Sequence, residues 1–289
     1  VGSTPATLRV STRNARFQQW EALLGNRTKR QRAGEFVVQG VRPITLALDH
    51  GWSLRAVLYA ADRELSQWAQ ETLRRVGRDV QRVKMDSGLL RELGGKDEAT
   101  PELLVVAELP PDDLDRLAPE PDFLGVVFDR PTTPGNIGTL IRSADAFGAS
   151  GLIVCGHAAD VYDPKALRAS TGSVFAVPTV RVPAPRTVAD WADGLREGGL
   201  PVRILGTDEH GERDVTEVDL TGPVLLVIGN ETSGMSASWR ALCDETVRIP
   251  IGGAASSLNA AAAGTVALYE AARQRGFRGF RGGVGAAGR

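Results

Sequence analysis

A chain of 289 residues with 42% hydrophobic and 24% charged side chains has room for two ordinary domains and the composition of a globular protein. No apolar run approaches the roughly 20 residues that span a bilayer, and Val1 to Ser11 lack the basic start and apolar stretch of a secretory signal, so the expectation is a cytoplasmic protein without a membrane partner. Cys155, Cys243, His50, His157 and His210 lack metal-ligand spacing, which sets aside a disulfide framework and zinc chemistry; no metal is expected.

The net charge of −1 conceals segregation. Residues 1–42 carry eight Lys/Arg against two acids, residues 97–122 carry nine acids against Arg116 alone, and residues 273–289 carry five arginines and no acid. Basic ends point to nucleic acid, because Lys and Arg neutralise phosphates and release counterions; solvated surface is the plain alternative.

In chain order, Phe17, Trp20, Leu23 and Leu24 form an apolar stripe at helical spacing within the basic segment. Phe36-Val37-Val38 reads as a short buried strand, followed by a helix from about Pro43 to His50 and a strand near Ala56–Tyr59. Leu65, Trp68, Ala69, Thr72, Leu73 and Val76 mark the clearest amphipathic helix, with Trp68 expected in the core. Leu103–Ala107 closes this unit as a strand. Residues 110–121 read as an acidic, proline-punctuated linker between an N-terminal domain (1–109) and a second domain (122–275). Beyond it, apolar runs at Leu124–Phe128, Leu152–Val154, Ala176–Val180, Val202–Leu205, Val224–Ile228 and Val247–Ile249 alternate with helical stretches, which predicts an α/β fold with a mostly parallel sheet covered on both faces. An alanine-dense helix, Asn259–Arg275, precedes a flexible Gly/Arg tail (276–289). The Gly283–Gly288 match to G-x-G-x-x-G follows no strand and opens no helix, so it is set aside.

Three segments place polar and glycine residues just beyond predicted strands, where parallel sheets bind ligands. In Asp129–Gly148, Asn136 could cap a helix carrying Arg142 in its second turn. In Gly229-Asn230-Glu231-Thr232-Ser233-Gly234, two glycines allow close backbone approach and Glu231 adds a carboxylate. In Ile249–Asn259, Ser257-Leu258-Asn259 opens the alanine-rich helix, and either polar residue could simply be its cap.

Together these segments resemble the SPOUT superfamily, specifically its SpoU branch of RNA ribose 2′-O-methyltransferases. Asn136-x-Gly138 with Arg142 and Ala144, Gly229-Asn230-Glu231 with Gly234 and Ser236, and Ile249-Pro250-Ile251 with Ser257-Leu258-Asn259 agree in order and spacing. Arg168–Ser173 resembles a further family segment. Gly34–Gly40 resembles the family's accessory RNA-binding domain, with Gln39 where glutamate is usual.

The resemblance implies a parallel-sheet catalytic domain tied in a trefoil knot, an S-adenosylmethionine cofactor, a homodimer, and a smaller N-terminal α/β RNA-binding domain. It assigns Arg142 to the RNA phosphate and ribose and to assisting removal of the 2′-hydroxyl proton, Asn136 and Glu231 to holding Arg142 and the loops, and Ser257 and Asn259 to orienting ribose or cofactor. Gly206, Thr207, Gly229, Asn230, Ile249, Ile251 and Leu258 would surround the cofactor. Arg13, Arg16, Arg27, Lys29, Arg30 and Arg32 would supply phosphate contacts, and a chain beginning near Pro121 is expected to fold alone. The added N-terminal domain favours ribosomal RNA. The arginine and alanine bias resembles high-GC actinobacterial sequences, whose SpoU-type members include self-protection enzymes of the avilamycin-resistance and thiostrepton-resistance types; what this resemblance implies is the avilamycin type, acting on a uridine of 23S rRNA. The alternatives are a methyltransferase of transfer RNA or another ribosomal RNA, and a non-enzymatic RNA-binding protein on the same fold.

Overall fold

The computed structural model describes residues 6–95 and 100–277. The expected tail beyond Phe277, including Gly283–Gly288, lies outside the described residues. In chain order the elements are β1 (Leu8–Val10), α1 (Ala15–Gly25), α2 (Arg27–Ala33), β2 (Glu35–Gln39), α3 (Val41–Asp49), β3 (Leu54–Ala60), α4 (Gln67–Arg75), β4 (Gln81–Met85), α5 (Ser87–Gly94) and β5 (Leu103–Glu108). There follow β6 (Leu124–Asp129), α6 (Pro134–Ala146), β7 (Gly151–Cys155), α7 (Pro164–Ser170), β8 (Thr179–Val182), α8 (Pro185–Glu197), β9 (Arg203–Thr207), β10 (Arg213–Asp214), β11 (Val224–Ile228), α9 (Ala237–Leu242), β12 (Glu245–Arg248) and α10 (Ala260–Gln274). No helix of the described residues is long and apolar enough to cross a membrane.

Two compact units emerge. The first takes the described residues up to Pro111 together with Asp160–Ala176; the second takes Asp112–Ala159 and the described residues from Val177 onward. The sequence reading placed 160–176 inside a continuous 122–275 domain.

In the first unit a five-stranded mixed sheet runs β1-β4-β3-β5-β2, parallel from β1 to β3 and antiparallel through β5 to β2. Asn14 caps α1 by accepting from Phe17 N–H (3.0 Å), and Phe17, Trp20 and Leu23 bury one stripe of that helix. Trp68 differs from expectation: it is half-buried, and its indole N–H donates to Thr45 Oγ1 (3.1 Å), a polar handle that keeps the ring edge outside the core.

Segment 160–176 joins this unit through an aromatic cluster. Tyr162 lies 4.6 Å from Phe36 and Phe175 lies 4.9 Å from Trp52, centroid to centroid, while the Trp52 indole donates to Phe175 O (2.9 Å). A buried ion pair adds to it: Arg30 Nε and Nη2 both meet Asp160 Oδ2 at 2.7 Å.

The second unit holds a seven-stranded sheet in the order β10-β12-β9-β11-β6-β7-β8, with every named pairing parallel. β6, β7 and β11 are buried along their whole length, as continuous apolar runs require when helices cover both faces. β8 and β12 are displaced from their expected places: β8 starts after Pro178, and β12 begins at the polar Glu245 and Thr246 because it pairs with Leu205 and Gly206 of β9. Pro134 opens α6 at a position where its missing N–H costs nothing. α10 packs closely on α6 because Gly264 has no Cβ; one built there would lie 2.5 Å from Leu140 Cδ1.

Candidate active site

β12, β9 and β11 lie side by side and parallel, so their carboxyl ends open along one edge of the sheet. A cleft of about 270 Å³ sits there. Thr207, Gly229, Asn230, Ile249, Ile251, Ser257 and Leu258 line it, as do Thr232 and Ser233 of the glycine-flanked loop, and so do Asp208, Glu209 and Arg240, which the sequence did not single out. Gly206 does not line the cleft. It stands one residue behind, where a side chain would collide with Met235 and Cys243.

The loop after β11 is a tight turn. Asn230 and Gly234 exchange backbone hydrogen bonds of 2.9 and 3.1 Å, and Asn230 Oδ1 accepts from Thr232 N–H (2.9 Å) and Ser233 N–H (3.0 Å). Gly229 is required by this closure, because a Cβ there would lie 2.4 Å from the Met235 nitrogen.

Glu231 reaches from this turn to the start of α6. Its carboxylate accepts from Thr132 N–H, Thr133 N–H and the Asn136 amide, each at 3.1 Å, with Thr132 Oγ1 at 3.2 Å. Burial alone would raise its pKa, but the Thr132, Thr133 and Asn136 hydrogen bonds outweigh burial and hold it below the usual value. A carboxylate so held is a latch between two loops, and the start of a helix favours its charge.

Asn136 is not the helix cap expected from the sequence. Thr133 occupies that position, so Asn136 lies within the first turn and its side chain is free to bridge: the amide donates to Glu231 and Oδ1 accepts from Asn259 Nδ2 at 3.3 Å. Asn259 in turn caps α10, accepting from Ala261 N–H (3.0 Å) and Ala262 N–H (3.2 Å). Glu231, Asn136 and Asn259 thus form one hydrogen-bonded chain linking α6, the turn after β11 and α10.

Arg142 stands apart from that chain. It is exposed in the third turn of α6, and among the described residues no hydrogen bond or ion pair joins it to Asn136 or Glu231. The expected clamp is absent for a geometric reason: six residues along an α-helix rotate a side chain about 120° away from the first. Its guanidinium is presented to solvent.

Asp129 and Arg130 open the Asp129–Gly148 segment, and no role was assigned to them from sequence. Asp129, 1% exposed, accepts from Ser236 N–H (2.8 Å) and from Arg130 Nε (3.1 Å); Arg130 Nη2 donates to Gly234 O (3.2 Å), and Arg130 O accepts from Asn230 Nδ2 (2.6 Å). Arg130 holds φ at +50°, the left-handed region that a side chain rarely adopts without compensating bonds. The end of β6 therefore fixes both ends of the turn after β11.

Of the residues expected to meet RNA, Arg30 needs correction. It is 2% exposed, spends its guanidinium on Asp160 and on the Leu23 and Leu24 carbonyls, and cannot reach a phosphate. Arg16, Arg27, Lys29 and Arg32 are exposed, whereas Arg13, also exposed, is shared with Glu21 (2.5 Å) and Glu92 (3.6 Å).

Residues 14–105 match the SpoU L30e-like domain and residues 124–269 match the SpoU rRNA Methylase family. The chain belongs to the SpoU methyltransferase family. Among its relatives, the 23S rRNA (uridine(2479)-2′-O)-methyltransferase of Streptomyces viridochromogenes is 62% identical over 272 residues, 94% of each chain. The crystal structure of the SpoU methyltransferase AviRb from that organism, in complex with the cofactor AdoMet, is similar with a TM-score of 0.87 at 63% identity, covering 91% of this chain and 98% of that one. An AdoMet-bound rRNA methyltransferase from Sinorhizobium meliloti is 28% identical with a TM-score of 0.80, covering 92% of this chain and 98% of that one.

Proposed function

We propose that this chain transfers a methyl group from S-adenosylmethionine to a ribose 2′-hydroxyl of ribosomal RNA, the target being a uridine of 23S rRNA. The observation that carries the reading is the 62% identity to a 23S rRNA uridine 2′-O-methyltransferase along 94% of both chains, which spans both compact units.

The cleft suits the cofactor. Ile249, Ile251 and Leu258 offer apolar surface for an adenine, Gly229 offers bare backbone, and Asp208 and Glu209 bring negative charge toward a cationic ligand, Asp208 being shared with Arg240 at 2.7 Å. When bound, S-adenosylmethionine supplies an electrophilic methyl group on a sulfonium. In-line displacement demands alignment, and the Glu231–Asn136–Asn259 chain provides it by fixing the turn after β11, α6 and the start of α10, beside which Ser257 faces the cleft. Arg142 holds an RNA phosphate and stabilises charge on the reacting ribose. The bond from the ribose oxygen to the methyl carbon forms as the carbon–sulfur bond breaks to release S-adenosylhomocysteine, and the 2′-hydroxyl proton passes to solvent, with Arg142 assisting its removal by stabilising the charge on that oxygen.

The same reading includes a trefoil knot in the second unit and a homodimer, the latter supported by apolar side chains left exposed on α10, Val266 and Tyr269. It also includes self-protection against an antibiotic of the avilamycin type. Arg13, Arg16, Arg27, Lys29 and Arg32 remain as phosphate contacts. The test is to incubate deproteinised 23S rRNA with the protein and S-adenosylmethionine and map 2′-O-methyl groups, with Arg142→Ala alongside. One new methylated uridine, lost in the variant while cofactor binding persists, is expected; no methylation by the wild type refutes the reading.

A further inference from the structure

A second cavity, about 490 Å³, lies wholly within the first unit, between the end of β2, the start of α3, α5 and the segment 160–176. Its volume falls in the range of small-ligand sites. Its walls are apolar: Val37, Leu93 and Leu167 are all at least nine-tenths buried.

Gln39, Arg42, Glu92, Arg168 and Thr171 interrupt that wall with polar side chains. Gln39 lines the cavity half-buried, and among the described residues its amide has no hydrogen-bond partner. Such an amide can offer two donors and an acceptor to a ligand beside an apolar surface. Arg42 and Arg168 are exposed; the Arg42 side chain gives only Nε to Thr171 O (3.2 Å), and among the described residues the Arg168 guanidinium has no hydrogen bond or ion pair. The one carboxylate on the wall, Glu92, is drawn to Arg13 Nε at 3.6 Å. The uncommitted charge is positive.

An apolar slot, an amide on its wall and two guanidinium groups beside it select a particular chemistry. A bare anion needs no slot, and an apolar peptide needs no pair of arginines. An unpaired nucleotide needs all three: its base enters the slot, the base edge meets the amide, and its phosphate meets the guanidinium groups. Base-paired RNA cannot enter, because its bases are stacked. Resting on the ribosomal-RNA reading above, we propose that this cavity receives one unpaired nucleotide of the RNA substrate, read by Gln39 and anchored by Arg42 and Arg168. Recognition in the first unit then includes a base, beyond the charge and shape expected from its basic stripe.

The test uses the full chain and 23S rRNA transcripts carrying either 4-thiouridine or 6-thioguanosine. Binding is measured for the wild type, Gln39→Ala and Val41→Trp; Val41 is 57% exposed at the cavity, so the larger ring blocks it without entering the core. Both variants are expected to bind RNA at least about fivefold more weakly while cofactor affinity is unchanged, and wild-type photocrosslinks should fall on residues 37–43 or 164–171. Wild-type RNA affinity in both variants overturns the proposal, as does an affinity loss without crosslinks in those segments. A wild-type chain that neither binds nor methylates the RNA overturns the ribosomal-RNA reading instead.

Discussion

Arg30→Met separates two roles that a sequence cannot tell apart for a helical arginine. In the structure Arg30 and Asp160 are 2% and 4% exposed, two guanidinium nitrogens meet one carboxylate oxygen at 2.7 Å, and a third donates to Leu23 O at 2.5 Å. Removing the cation strands a carboxylate in a buried place, which typically costs about 3–5 kcal/mol. That is a large share of the roughly 5–15 kcal/mol that holds a domain folded. The double variant Arg30→Met/Asp160→Leu removes the stranded charge as well and should recover most of the loss, since apolar replacement of a buried pair is often neutral.

Urea unfolding followed by tryptophan fluorescence and circular dichroism measures both variants, and non-additivity is the expected signature. The salt dependence of RNA affinity supplies an independent readout. A residue that contacts no phosphate leaves the slope of log affinity against log salt unchanged, whereas each lost phosphate contact lowers it by about 0.7–0.9. Full stability in Arg30→Met together with a reduced slope would refute the buried-pair argument and return Arg30 to the RNA surface.

The remaining predictions concern fold limits and the site. A chain beginning near Pro121, expected from sequence to fold alone, should instead aggregate or bind a hydrophobic dye, because it loses Phe36, Trp52 and Arg30, the partners of Tyr162, Phe175 and Asp160; a monodisperse, cooperatively unfolding fragment overturns this. Glu231→Gln should destabilise the chain by about 1 kcal/mol at pH 7, because an amide presents donors to donors. The Glu231 pKa is lowered on folding, so its contribution is present above the ordinary value of 4.5 and is lost as pH falls through the folded value; melting temperatures of wild type and variant should converge in acid. Arg130→Ala should weaken S-adenosylmethionine binding about tenfold by calorimetry and leave RNA affinity unaltered, with partial rescue by Arg130→Lys, since it unties Gly234 and leaves Asp129 with less compensation.

What could be read in advance follows from where the information resides. β6 and β11 are continuous apolar runs, and such runs announce themselves whatever their neighbours are. β4 is different. Its sequence Gln81–Met85 buries only Val83 and Met85 fully, so the strand is defined by pairing with β3 and β1 more than by composition. The three residues of β1 carry still less signal. Segment 160–176 folds with the first unit through Tyr162, Phe175 and Asp160, whose partners Phe36, Trp52 and Arg30 lie more than 100 residues earlier. A local pattern has no means of encoding that.

The site shows the same division on a finer scale. Glu231, Asn136 and Asn259 stand out as polar residues beside glycines after apolar runs, yet their mutual bonds depend on register. β6 and β11 pair with Phe128 opposite Ile228, which brings the residues immediately following, Asp129 and Arg130, beside Gly229 and Asn230. From that register the bonds of Arg130 to Gly234 and of Asn230 to Arg130 follow, and so does the reach of Glu231 to Thr132 and Thr133. Asp129-Arg130 looks in the sequence like the polar end of a strand meeting solvent. One carboxylate that is 1% exposed shows the opposite: the sheet continues past its last hydrogen-bonded pair as a side-chain network. That network holds the turn over the cleft, so a change at Asp129 should be felt as lost cofactor affinity before it is felt as lost fold.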